Sequence, residues 1–143
     1  MLKRLLAAML IVVSLASLSS AKVQDLGAIT IDLPTGWIAE KSNDFNYVFR
    51  TSDNTAAIMF DISNLGGMDP KEAVTELSKK LSGSTPVYNE KDNAYTFTFR
   101  NTEGIVFTSS SVPFVDNDAI VTFVWAEVDT KLLDRIISSI TFK

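Results

Sequence analysis

The chain predicts an α+β domain, an antiparallel β-sheet of about six strands packed by two helices. Three observations carry this. Apolar and polar residues alternate in short runs, most clearly over Ala94–Arg100, where Tyr95, Phe97 and Phe99 fall on one side and Thr96, Thr98 and Arg100 on the other. Successive side chains of a strand point to opposite faces, so this run buries its aromatics and wets its threonines. Two other segments place apolar residues at helical spacing. The order is strands, helix, strands, helix, which groups strands as neighbours and suits an antiparallel sheet.

The centre of the predicted sheet is a meander of Ala94–Arg100, Ile105–Phe114 and Ala119–Glu127, joined by polar breaks at 101–104 and 116–118. Its last run is apolar on both sides, with Ile120, Val124 and Ala126 on one and Val121, Phe123 and Trp125 on the other. Such a strand belongs in the middle of a sheet or is covered from both sides. Ser109, Ser110 and Ser111 weaken the middle run. Pro113 cannot donate to a ladder and marks an edge, a bulge or the strand end.

Before the meander, Ala28–Leu33 alternates and reads as the first strand, with 22–27 as a loose lead-in. Pro34-Thr35-Gly36 makes a turn, after which Trp37 and Ile38 are expected to tuck against the core. Residues 41–46 read as a polar loop. Tyr47–Thr51 and Ala56–Ser63 form a hairpin, with Ile58, Phe60 and Ile62 as its apolar face. The first helix has the clearest start, with Asp69 as N-cap, Pro70 at the first helical position and Glu72 in the first turn. Ala73, Val74, Leu77 and Leu81 form its stripe, and Gly83 stops it. Pro86–Glu90 is a short extended run. A second helix starts at a capping Asp129 and presents Leu132, Leu133, Ile136, Ile137 and Ile140. Thr141 to Lys143 ends the chain as a short strand.

Residues 1–21 read as a secretory signal peptide. Lys3 and Arg4 precede an apolar run from Leu5 to Leu18, and Ser19-Ser20-Ala21 offers a small-residue cleavage site after Ala21. The run is shorter than the roughly 20 residues of a membrane span, which disfavours the rival reading of an uncleaved anchor. Residues 22–143 then form a single domain, periplasmic or secreted, with no membrane span after cleavage. Cleavage removes two basic residues and no acid, so the formal charge moves from −4 to −6. That balance argues against nucleic acid, whose phosphates need clustered Lys and Arg.

With no cysteine and no histidine, disulfides, thiol catalysis, cysteine metal sites and histidine general bases are excluded. No cofactor is predicted. Asp116 and Asp118, flanking Asn117, are the best metal candidates, since calcium takes several oxygen ligands. The rival reading is a hairpin turn built of turn-forming residues. Ser109–Ser111 lack a base or a sharp nucleophile turn and read as strand polarity. Val121, Phe123 and Trp125 form a possible partner surface if no helix covers them.

Two places resemble the PsbP-like family, which includes small exported bacterial proteins of the DcrB type. One is the early strand running into Pro34-Thr35-Gly36-Trp37. The other is the closing stretch from Leu132 through Ile136-Ile137-Ser138-Ser139-Ile140 to Thr141-Phe142-Lys143. The resemblance implies an α/β/α sandwich, with the antiparallel sheet between helices, and a non-enzymatic role in binding or assembly. It carries over no functional residue. The expected function is that of an exported accessory protein that contacts an envelope protein. One alternative is a carrier of a small apolar ligand in a cavity lined by Phe97, Phe99, Phe107 and Ile136. The other is a histidine-free hydrolase with two facing carboxylates.

Overall fold

The computed structural model describes residues 22–143 apart from 115 and 117. The leader expected at residues 1–21 lies outside the described residues. Among the described residues the architecture is α+β with two helices, and every strand pair is antiparallel. The expectation of about six strands in one sheet is corrected: ten strands form two sheets.

The small sheet joins β1 (Lys22–Asp25), β2 (Ile29–Leu33) and β10 (Thr141–Phe142), with β2 in the middle. The large sheet has the order β3 (Trp37–Asn43), β4 (Asn46–Thr51), β5 (Ala57–Asn64), β9 (Ala119–Ala126), β8 (Val106–Phe114), β7 (Ala94–Arg100) and β6 (Val87–Asn89). The strand apolar on both faces, β9, is its central member. Pro113 sits one residue from the end of β8, where a missing N–H matters least.

The lead-in at 22–27 contains strand β1, and the early alternating strand β2 belongs to the small sheet. Trp37 and Ile38 open β3, whose hairpin with β4 replaces most of the expected polar loop, with an irregularity between Lys41 and Asn43. Residues 37–40 are buried on both faces of this strand. Glu40 is tolerated there because Arg50, across the hairpin on β4, donates to it at 2.8 Å.

Helix α1 (Pro70–Lys80) starts as its sequence predicts: the Asp69 carboxylate accepts from the N–H groups of Lys71 and Glu72 at 3.1 and 3.4 Å. Its end differs from expectation. The left-handed residue is Ser82, at φ 53°, not Gly83. Ser82 N–H donates to Lys79 O and Gly83 N–H to Ser78 O, which ties off two free carbonyls. Gly83 is needed for closeness instead: a Cβ there would stand 2.8 Å from the Phe97 ring and 3.0 Å from Thr98 O.

Helix α2 (Thr130–Ser138) starts at Asp129, but the Asp129 side chain makes no capping bond, and the helix ends two residues before Ile140. Leu133 and Ile136 are its buried residues. Ser139 Oγ accepts from Asp32 N–H at 3.0 Å, locking the end of α2 to β2.

The large sheet separates two cores. On one face, β2 and α2 lie side by side over β3, β4 and β5. Ile29, Ile31, Leu33 and Ile136 meet Trp37, Tyr47, Phe49 and Phe60 there. On the other, α1 packs its Val74 towards Phe97, Phe99, Phe107 and Val124.

Candidate functional site

The partner surface expected at Val121, Phe123 and Trp125 divides on inspection. All three point to the face shared with β2 and α2. Val121 is buried in that core, while Phe123 and Trp125 are half-buried against it. Phe123 leans on Phe60 with ring centroids 5.0 Å apart. The reason is the register of the sheet. One row of neighbours runs Tyr47, Phe60, Phe123, Ser110, Thr96, Val87, and the next runs Phe49, Ile58, Trp125, Thr108, Thr98. Each row starts buried under the small sheet and α2 and ends exposed at β7 and β6, where Val87 and Thr98 meet solvent. Phe123 and Trp125 mark the shoreline. Beyond them lies a flat, hydroxyl-rich face, with Thr96 Oγ1 and Ser110 Oγ 3.4 Å apart and hydrogen-bonded. Phe142 of β10 is half-exposed beside this shoreline, with its ring 6.0 Å from Phe60 and 6.2 Å from Phe114.

The opposite face holds a cleft of about 500 Å³ between α1 and the strands β5, β9 and β8. Its size is that of a small-molecule site. Leu77 and Leu81 roof it, Met59, Ile120 and Val124 form the floor, and Asp61 and Ser63 stand among its lining groups. None of the four residues expected to line a carrier cavity does so. Phe97, Phe99 and Phe107 are packed solid beside the cleft, and Ile136 lies on the other side of the sheet.

The cleft exists because its floor changes character. Towards β7, three phenyl rings fill the space beneath α1. Towards β5, the same layer carries Ser111, Thr122, Asp61 and Ser63, which are short and polar. Ser111 and Thr122 satisfy each other at 2.9 Å, and Ser63 Oγ donates to Asp61 at 2.6 Å. The signal that could have revealed this is the mismatch between the apolar stripe of α1 and the hydroxyls it faces.

The remaining candidates lie on a turn and on strands. Asp116 and Asp118 are both exposed. Asp116 has φ 53°, a left-handed value that aspartate tolerates in turns, and Asp118 O accepts from Leu65 N–H at 2.9 Å. Among the described residues, no group of three or more potential metal ligands comes together. Ser109 and Ser111 are fully buried strand residues. The Glu40–Arg50 pair, which the sequence analysis missed, joins a buried carboxylate to a half-buried guanidinium across the β3–β4 hairpin. Burial, followed by the nearby Asp69 charge, pushes the Tyr95 phenol above its ordinary value of 10.0. Among the described residues, no helix is long and apolar enough to cross a membrane.

No family model matches the chain, and no curated protein matches it. The likeness lies in solved structures. The fold is similar to that of a mutant of protein Mog1, with a TM-score of 0.55 and 15% identity over 87% of this chain and 96% of that one. It is also similar to the Saccharomyces cerevisiae Ran-binding protein Mog1p, with a TM-score of 0.54 and 17% identity over 85% of this chain and 94% of that one. At such identities the likeness establishes the fold alone.

Proposed function

We infer that this chain is an exported, non-enzymatic accessory protein of the cell envelope that works by protein–protein contact. It is PsbP-like in kind and uses the open face of the large sheet. The observation that carries this reading is the shoreline. Half-buried Phe123 and Trp125 border a flat field of threonine and serine, with Val106 and Phe142 exposed nearby. Aromatic anchors beside small hydroxyls suit a protein partner, because rings supply buried area and hydroxyls adapt to the partner's polar groups. The yeast structure of the same fold is that of a Ran-binding protein, a binding role rather than a catalytic one. Export rests on the character of residues 1–21.

The test is capture from the cognate envelope fraction with tagged protein, against a Thr98→Arg/Thr108→Arg variant. Those positions are exposed and half-buried on the open face, so the cores stay intact. A partner retained by the wild type and lost by the folded variant supports the reading. A partner held equally by both places the contact elsewhere. Mass spectrometry of the exported protein should find an N-terminus at Lys22; a chain still carrying residues 1–21 would overturn the cleaved leader.

A further inference from the structure

We propose that the cleft beneath α1 is a binding site for an aliphatic molecule whose polar end is a hydrogen-bond donor and not an anion. This site is independent of the open face, since the two lie on opposite sides of the large sheet.

The shape and the walls argue for an aliphatic body. The cleft offers about 500 Å³, within the range of sites that enclose small ligands. Leu77, Leu81, Ile120 and Val124 enclose its depth; Tyr47 and Phe60 also border it, but their rings belong to the core on the other face of the sheet. Met59 and Met68 stand at its walls, and an unbranched thioether adapts its shape to a flexible chain. Met68 is also one of the few large apolar side chains left exposed, as expected of a residue waiting for an occupant.

Electrostatics chooses the polar end. Asp61 is the one charged residue among the described residues of the lining, and no lysine or arginine stands with it. One of its oxygens takes the Ser63 hydroxyl at 2.6 Å. A carboxylate accepts several hydrogen bonds, so acceptor capacity remains for a ligand. An ammonium or hydroxyl group can donate to it. A carboxylate or phosphate head would face a like charge with no compensating cation, and the site would reject it. The buried Ser111–Thr122 pair is already mutually satisfied, so it adds no strong demand of its own.

Three probes that share one chain and differ in one group test this: dodecylamine, dodecanol and dodecanoate. Each displaces a neutral, environment-sensitive fluorophore from the purified domain of residues 22–143, below its micelle concentration. The expected order is amine, then alcohol, then dodecanoate, with about tenfold between amine and dodecanoate, the size of one charge-assisted hydrogen bond. Asp61→Asn should bring amine and dodecanoate together and leave dodecanol unchanged. Asp134→Asn, on the solvent side of α2, should leave the order intact and so separates a local contact from the overall negative charge. Leu77→Trp should fill the cleft and weaken all three at least tenfold. If that variant fails to fold, Met68→Trp at the exposed wall replaces it. Dodecanoate binding as tightly as dodecylamine would overturn the choice of head group. Binding unmoved by both tryptophan variants would overturn the site, while leaving the protein-contact reading of the open face untouched.

Discussion

The two faces of the large sheet are packed by different means, and the difference locates what the molecule can bind. On one face, a three-stranded sheet and a helix share the cover. Large side chains from both sides interlock: Ile29, Ile31, Leu33 and Ile136 against Tyr47, Phe49 and Phe60, all almost completely buried. On the other face a single helix stands over a wide floor. Phenyl rings support it towards β7, and short polar side chains leave a gap towards β5. The two sheets and two helices of the described residues therefore make one finished core and one unfinished one. Interiors pack to crystal-like density when nothing prevents it, so an open cleft of this size beneath a helix is the informative departure.

The largest expected effect tests that contrast directly. Ile136→Ala removes three heavy atoms from the finished core, where the neighbours have no room to relax. It should destabilise by about 4 kcal/mol in denaturant unfolding. Leu77→Ala removes a similar amount beside an existing void, from a half-buried residue. It should cost about 2 kcal/mol, at the low end for such truncations. Equal losses would mean that the two cores are packed alike. Gly83→Ala comes next. Its new methyl meets the Phe97 ring and the Thr98 carbonyl, so α1 must lift from β7, at a cost of about 2 kcal/mol. A loss below that of Leu77→Ala would show that the helix is already free to move.

The sequence carried the parts of this picture that are local. The start of α1 was legible because Asp69, Pro70 and Glu72 solve one problem, the free N–H groups, within one turn. The central place of β9 was legible because both its faces are apolar. The division into two sheets was not, because alternation marks a strand without naming its partner. β2 meets β10 and the end of α2 across more than a hundred residues, as in the Asp32–Ser139 bond at a separation of 107. β3 was missed because residues 37–40 are all buried and include a charge. Only Arg50, ten residues on, makes Glu40 acceptable there. The cleft was misassigned for a related reason. Phe97, Phe99, Phe107 and Ile136 are apolar and inward, but whether such residues line a void or fill it depends on which face each occupies.

A smaller effect sharpens the comparison at the end of α1. Ser82 holds the left-handed backbone that closes α1, and its side chain is exposed. Ser82→Gly should stabilise by about 0.5–1 kcal/mol by relieving that conformation. The gain should appear as a raised Tm with the binding of the dodecyl probes unchanged. A loss of stability would mean that the serine makes the turn rigid in a way that glycine cannot.

The smallest effect belongs to the finished side, at its solvent edge. The Asp25 carboxylate pairs with Lys143 and accepts from Gly27 N–H at 3.0 Å, joining β1 to the end of the chain. The Lys143 hydrogen bond, then the Gly27 bond, hold its pKa below the ordinary 3.8. A carboxyl whose folded value is depressed binds its proton more readily when unfolded. Its contribution to stability is therefore complete above pH 3.8 and is lost as the pH falls through the lowered folded value. Asp25→Asn should lower the Tm slightly at neutral pH and low salt. The difference should shrink in high salt, as expected for an exposed pair, and vanish in acid. A difference that persists in acid would show that the effect of Asp25 does not come from the ion pair. The small sheet would then be held to the finished core by its buried isoleucines and by Ser139, with no electrostatic clasp at its edge.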